Sequence, residues 1–190
     1  MQQLGRWIGE SGNALVYGGS KSGLMGLLAD SVLAAGGRVT GVEPKCFLDA
    51  ELQHEGLTEL IVTEDISARK TKMIELGDAF IAFPGGTGTL EEITEVISKL
   101  SLGQLNAPCI LYDLNGYYQP LHQLLQQMIT MGFPLRRGSG ISPLPPTLLR
   151  FAQSLKNDIG KLTSQTRGTA VHGFVRRSFF IKMGYRGVRR

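Results

Sequence analysis

Long apolar runs are missing from this 190-residue sequence, and cysteine is scarce. No stretch approaches the length of a membrane span, and the N-terminus lacks the layout of a secretory leader, so a cytoplasmic protein with no membrane partner is expected. The two cysteines, Cys46 and Cys109, match no metal or redox spacing. Both read instead as small core or near-core residues in a reducing compartment. Internal repeats are also absent. Two familiar nucleotide signatures are missing as well. Lys21 precedes Ser22 but no Gly-Lys-Ser/Thr closes a Walker A loop, and no three glycines take the dinucleotide-binding spacing. Acid is missing from one region only: beyond residue 135 a single Asp158 remains.

What is present describes a globular chain long enough for one substantial core, 42% hydrophobic and 19% charged. The formal net charge of +4 conceals a division. Residues 1–135 hold 8 Lys and Arg against 15 Asp and Glu, a net −7, whereas residues 136–190 hold 12 against 1, a net +11. An acidic unit, 1–135, is therefore expected to carry a basic tail, 136–190.

Within the acidic unit, short β-rich runs alternate with longer helical patterns. Strands are expected at Ala14–Tyr17, Arg38–Val42, Glu59–Thr63, Ala79–Phe83 and Cys109–Tyr112. Their nearly uninterrupted apolar character suits strands covered on both faces. Helices are expected at Gln3–Glu10, Leu24–Ala35, Ala68–Leu76, Leu90–Leu100 and Tyr118–Met131, the second closed by Gly36-Gly37. This alternation predicts an α/β fold, a parallel sheet with helices on both faces, binding ligands at the carboxyl ends of its strands. The sequence opens inside a helical pattern, so the strand that normally precedes such a helix is expected to be missing. In the tail, Pro143, Pro145 and Pro146 break regular structure, and only Thr147–Leu155 looks weakly helical. An irregular basic C-terminus is expected.

Two glycine loops fall at strand ends. The first, "YGGSKSGLMG", places Gly18 and Gly19 between a strand and a helix. It reads either as a tight turn or as a phosphate contact at a helix start. The second is Pro84-Gly85-Gly86-Thr87-Gly88-Thr89, followed by Glu91 and Glu92. Its glycines allow close approach of backbone to a ligand, and Thr89 can cap the next helix or bind a phosphate. The glutamates are explained equally by a helix start, where the dipole favours them, or by a carboxylate facing a ligand. Glu92 and Glu95 are three apart on one helical face. A nucleoside monophosphate suits the layout, with its phosphate on the loop and its ribose further along. In "SARKTKMIEL", Ser67 is a candidate N-cap, and Arg69, Lys70 and Lys72 stand near a helix start. Cations there oppose the dipole, so a bound anion or the carboxylates of the next helix should offset them.

The Arg69-Lys70-x-x-Met73 run followed by "GDAFIAFPGGTGTLEEITEV" resembles the Lonely Guy family of nucleotide phosphoribohydrolases, whose members are often labelled lysine decarboxylase-like. The similarity extends through "YGGSKSGLMG", "GRVTGVEP" and "NGYYQPL", roughly residues 4 to 133. It implies a Rossmann-like fold and hydrolysis of the N-glycosidic bond of an N6-substituted adenosine 5′-monophosphate, giving a free base and ribose 5-phosphate. It implies Arg69 and Glu92 as the catalytic pair. Gly85, Gly86, Gly88 and Thr89 would hold the phosphate, with Lys70, Glu95, Gly18 and Gly19 as further substrate-binding residues. A homodimer is implied, with an apolar helix face near Gly116–Tyr118 taking part; no cofactor or metal is. No lysine stands in a pyridoxal-phosphate context, which argues against decarboxylation. Three departures stand beside the resemblance: the absent opening strand, the basic tail, and Thr87 where an aromatic is frequent. A second reading is a nucleotide-binding protein of the same fold without turnover. The tail reads as a divergent C-terminus in preference to a nucleic-acid arm.

Overall fold

A computed structural model describes residues 1–50, 53–133, 149–152 and 178–182, with side chains described for residues 1–48 and 53–133. Strand and helix alternate as the apolar pattern requires. Helix α1 (Gln2–Glu10) leads into β1 (Ala14–Tyr17), α2 (Gly23–Ala34) and β2 (Arg38–Pro44). A 3-10 turn at Lys45–Ala50 precedes β3 (Glu59–Thr63), α3 (Ile66–Leu76), β4 (Ala79–Ala82) and α4 (Thr87–Ser101). Then come β5 (Cys109–Tyr112), a short turn at Leu114–Gly116, α5 (Gln119–Thr130), β6 (Leu149–Ala152) and β7 (Ser178–Lys182).

The seven strands form one sheet in the order β3-β2-β1-β7-β4-β5-β6, and every pairing is parallel. Side chains alternate across it, so each face has its own core. Leu15, Tyr17, Val39, Ile81 and Ile110 pack with Leu4 and Ile8 of α1 and Leu28 and Val32 of α2. Val16, Val42, Phe80, Ala82 and Leu111 pack on the other face with Met73 of α3, Ile93 and Val96 of α4, and Leu125 of α5. Helices α1 and α2 approach closely because Gly5 and Gly9 carry no side chain. A Cβ on them would lie 2.4 Å from the Ser31 Cβ and 2.6 Å from the Ala35 Cβ.

The centre of the sheet departs from expectation. β7 comes from the basic tail and runs parallel between β1 and β4, matching Ala14 with Ser178 and Ala79 with Phe179. The place an opening strand would take is thus filled from the other end of the sequence. Regular structure also appears at Leu149–Ala152, where a strand pairs with β5 in place of the weak helix expected over Thr147–Leu155. The remainder of that stretch, and Pro143, Pro145 and Pro146, lie outside the described residues. The physical reason is pairing: a short segment beside an open parallel edge gains ladder hydrogen bonds that local propensity does not register. Cys109 is buried in β5 as expected, but Cys46 is exposed in the turn after β2.

Without β7, β1 and β4 would both become sheet edges with unpaired backbone groups. Phe180→Pro removes a backbone donor from a strand paired on both sides. It should lower stability by roughly 3 kcal/mol or more, read as a fall in the urea midpoint. An unchanged midpoint would show that β7 contributes no ladder.

Candidate active site

β1 and β2 lie on one side of β7, β4 and β5 on the other, and the chain crosses over between β3 and β4. The carboxyl ends of β1 and β4 flank this crossing point, where parallel sheets open a crevice. Both glycine loops leave the sheet there.

The loop after β4 ends in the helix start itself. Gly86 is the N-cap of α4, in extended backbone and with no side-chain capping bond. Its carbonyl accepts the Thr89 and Leu90 N–H groups at 3.1 Å. The helix thus begins at Thr87, earlier than the apolar pattern indicates, and Thr89 lies buried inside its first turn instead of capping it. A Cβ added at Gly86 or Gly88 would meet nothing within 4 Å, and neither residue has a left-handed φ. The protein's own packing therefore does not require glycine at these two positions. Bare backbone at a helix start does serve an anion, because the first N–H groups of a helix have no intrahelical acceptor.

Two tyrosines that sequence reasoning did not assign to the site brace this loop from behind. The Tyr118 hydroxyl donates to the Phe83 carbonyl at 2.7 Å, and the Tyr117 hydroxyl donates to the Gly85 carbonyl. Burial pushes the Tyr118 hydroxyl pKa up, so it remains a donor. Both follow the Leu114–Gly116 turn, in which Asn115 and Gly116 adopt φ of 54° and 76°. Buried Asp113 fixes that turn, accepting the Tyr118 N–H at 2.7 Å and the Gln119 side-chain amide. The only sequence signal was the paired Tyr117-Tyr118 after Asn-Gly.

Helix α3 starts two residues ahead of expectation, capped by Asp65 and not by Ser67. The Asp65 carboxylate accepts the Ala68 N–H at 2.7 Å, which satisfies one of the helix's first donors. This start turns Arg69 inward. Arg69 is 6% exposed, donates from Nε to the Val42 carbonyl at 3.0 Å, and places Nη2 3.4 Å from Glu92 Oε1. Glu92 is itself 5% exposed. Lys70 lies outward and meets Glu91 at 2.7 Å and Glu95 at 3.2 Å. Its ammonium pKa is raised, first by the hydrogen bond to Glu91. Lys99 stands 3.9 Å from Glu95. Arg69 and Lys70 at the start of α3 are thus offset by carboxylates of α4, whereas Lys72 pairs with Glu75 of its own helix at 3.4 Å. Arg69 and Glu92 come together as a buried pair. Lys70 and Glu95 belong to a separate, more exposed network, so Glu92 and Glu95 answer different cations despite their shared spacing.

The loop after β1 is held in place by its surroundings. Gly19 has φ of 84°, and its carbonyl accepts the His54 N–H at 3.0 Å. A Cβ on Gly19 would lie 2.5 Å from Glu43 Oε1, so a buried glutamate of β2 occupies the space beside it. Gly18 precedes Gly19 at the same strand end and is partly buried. Glu43 was also missed, although a charged residue ending the apolar run "RVTGVEP" was visible.

A buried ion pair is poor evidence for stability, because the cost of desolvating two charges rivals their attraction. Its retention at the mouth of a glycine loop fits a site that acts on charge. The family described as "possible lysine decarboxylase" matches residues 25–139. A cytokinin riboside 5′-monophosphate phosphoribohydrolase of Rhodococcoides fascians is 50% identical over 131 residues, 68% of this chain and 66% of its own length. One of Arabidopsis thaliana is 37% identical over 166 residues, 86% of this chain and 76% of its own. This chain belongs to the Lonely Guy family. It spans 66% and 59% of the lengths of two such relatives, from R. fascians and rice. Solved structures of a molybdenum cofactor binding protein of Rippkaea orientalis and a molybdenum cofactor carrier protein of Chlamydomonas reinhardtii share the fold. Their TM-scores are 0.59 and 0.60, at 22% and 19% identity. The first match covers 87% of this chain and 85% of that structure, the second 87% and 84%. Among the described residues of this Lonely Guy member, no helix is long and apolar enough to cross a membrane.

Because Gly88 sits in a helix and faces open space, Gly88→Ala should raise stability by about 0.5–1 kcal/mol in thermal or urea unfolding. The same substitution should weaken binding of a nucleoside monophosphate, measured by calorimetry. Unaltered affinity would remove Gly88 from the ligand cradle.

Proposed function

We propose that this chain hydrolyses the N-glycosidic bond of an N6-substituted adenosine 5′-monophosphate, releasing the free base, a cytokinin, and ribose 5-phosphate. The observation that carries this reading is the buried Arg69–Glu92 pair, 3.4 Å apart, one helical turn beyond a glycine-lined helix start. The names of the curated relatives support it.

In this reading residues 1–135 carry the chemistry. The substrate phosphate binds the backbone of Gly85, Gly86, Gly88 and Thr89 at the start of α4, where the helix dipole favours an anion. Gly18 and Gly19 bound the nucleotide from the β1 side, and Lys70 and Glu95 act at the rim. Glu92, fixed by Arg69, faces the ribose. Glycosidic cleavage passes through an oxocarbenium-like state, and a positioned carboxylate stabilises the positive charge that develops at the anomeric carbon. The bond from that carbon to the base nitrogen breaks, a water oxygen takes its place, and the proton the water sheds balances the one the departing base takes up. Arg69 cannot serve as the acid, since a guanidinium does not give up its proton in proteins. Its contribution is electrostatic and positional. No cofactor enters the scheme.

The protein works in this reading as a cytoplasmic homodimer. Support for self-association comes from exposed apolar side chains on and after α5: Leu124, Ile129, Met131 and Phe133. Tyr117 is half exposed at the turn before that helix.

The test is release of free base from an N6-modified adenosine monophosphate by the full chain. Glu92→Gln and Arg69→Ala should each lower kcat by about 100-fold or more, the scale for loss of one electrostatic stabiliser of a transition state. Unchanged turnover in both variants would sink the site assignment. Nucleotide binding without product from the unaltered chain would instead mark a binding protein.

A further inference from the structure

Arg69 has a second acidic neighbour. Glu43 lies at the carboxyl end of β2, directly after Val42, whose carbonyl anchors the Arg69 Nε. Its side chain is 4% exposed and packs over Gly19, and its Oε2 has no hydrogen-bond partner among the described residues. We propose that Glu43 is a positioning residue of the site, competing with Glu92 for the Arg69 guanidinium and so setting how firmly Arg69 holds Glu92.

The groups that face Glu43 can be named from each element packed around it. From α3 comes Arg69, whose charge favours the ionised carboxyl; from β1 comes Tyr17, whose hydroxyl is buried and also lacks a hydrogen-bond partner among the described residues. Burial raises the Tyr17 pKa, and the charges of Glu43 and of Asp30 on α2 add to the effect. Asp30 is itself engaged by His54 at 2.9 Å. From β3 the Thr63 hydroxyl reaches the backbone carbonyl of Glu43 at 3.4 Å, not its carboxyl. Lys45, two residues on, pairs with Glu64 at 2.6 Å in solvent. Arg69 is thus the cation beside both buried carboxyls: it pairs directly with Glu92 at 3.4 Å and acts on Glu43 through its charge, from beyond ion-pair distance.

One buried cation balances one buried carboxylate. Ionising a second in the same dry space is costly, so the less well-served carboxyl keeps its proton to higher pH. Burial raises the Glu43 pKa, and Arg69 opposes that rise only in part. While Glu43 is neutral, Arg69 is left to Glu92. Once pH rises through the Glu43 midpoint, the new carboxylate draws the guanidinium toward β2 and loosens the Arg69–Glu92 pair. In stability terms the sign is the same: the folded state binds the Glu43 proton more tightly than the unfolded chain. This contribution is full below the ordinary glutamate pKa of about 4.3 and is lost as pH rises through the folded value.

The proposal rests on the hydrolase reading only for its effect on turnover, so the experiment has two readouts on the full chain. The first is carbon-13 titration of the Glu43 carboxyl in glutamate-labelled protein, assigned by its loss in Glu43→Gln. Its midpoint should fall in Glu92→Gln, where Arg69 turns to Glu43, and rise in Arg69→Gln, each by at least about tenfold in proton affinity. Glu92→Gln alone decides the matter if Arg69→Gln does not fold. The same midpoint in the parent protein and Glu92→Gln overturns the proposal, whether or not the chain turns over any nucleotide. The second readout is the pH profile of kcat for base release. It should decline through the Glu43 midpoint in the parent chain, and that bend should disappear in Glu43→Gln. A bend that persists assigns Glu43 to packing against Gly19 and nothing more. Absence of all turnover counts against the hydrolase reading and leaves the titration to decide Glu43.

Discussion

A single buried guanidinium holds the site together. Arg69 belongs to α3, bonds the backbone of β2 through Val42, and meets Glu92 of α4. Three elements distant in sequence are set relative to one another by its planar donor array. Lysine could not reproduce this, since it offers a point charge and no fork. The burial of Arg69 follows from Asp65, because a helix capped there presents its fourth residue to the sheet. A capping carboxylate, a strand carbonyl and a buried ion pair are therefore one mechanical unit.

The glycine loops work differently from one another despite similar appearance. Gly19 is forced: its φ is left-handed and its missing Cβ makes room for Glu43. Gly86 and Gly88 are not forced by anything the protein places near them. Their hydrogen-bonded support comes from behind, where Tyr117 and Tyr118 hold the carbonyls of Gly85 and Phe83. Such bracing keeps an exposed loop in one geometry, which reduces the ordering cost of binding. The outward Lys70–Glu91–Glu95 network contributes little to stability by comparison, being screened by solvent.

Much of this was legible in the sequence. The strands Ala14–Tyr17, Glu59–Thr63 and Cys109–Tyr112 end where the apolar runs end, since buried parallel strands leave an uninterrupted hydrophobic signature. Helix starts were read less well. Asp65 caps with its carboxylate and Gly86 with backbone alone, and the nearby Ser67 and Thr89 offered equally good chemistry at the wrong position. Glu43 and the two tyrosines were invisible as site residues because their roles arise from contacts across 24 to 35 positions, such as Tyr118 to Phe83. β6 and β7 were hidden for a stronger reason. β6 follows Pro143, Pro145 and Pro146, the short apolar run of β7 is set among arginines, and the pairing partners of both are set by topology alone.

The placement of β7 carries a consequence for how the molecule comes to its shape. β3-β2-β1 and β4-β5 are each assembled from neighbours along the chain, and could form early. The seam between them waits for a segment about 160 residues beyond its partner in β1, a long loop to close and a slow kind of contact to find. The loops that would cradle a nucleotide stand on opposite sides of that seam. Competence to bind would then be acquired in one late step, when the two halves are zipped together, and would be lost first when they part.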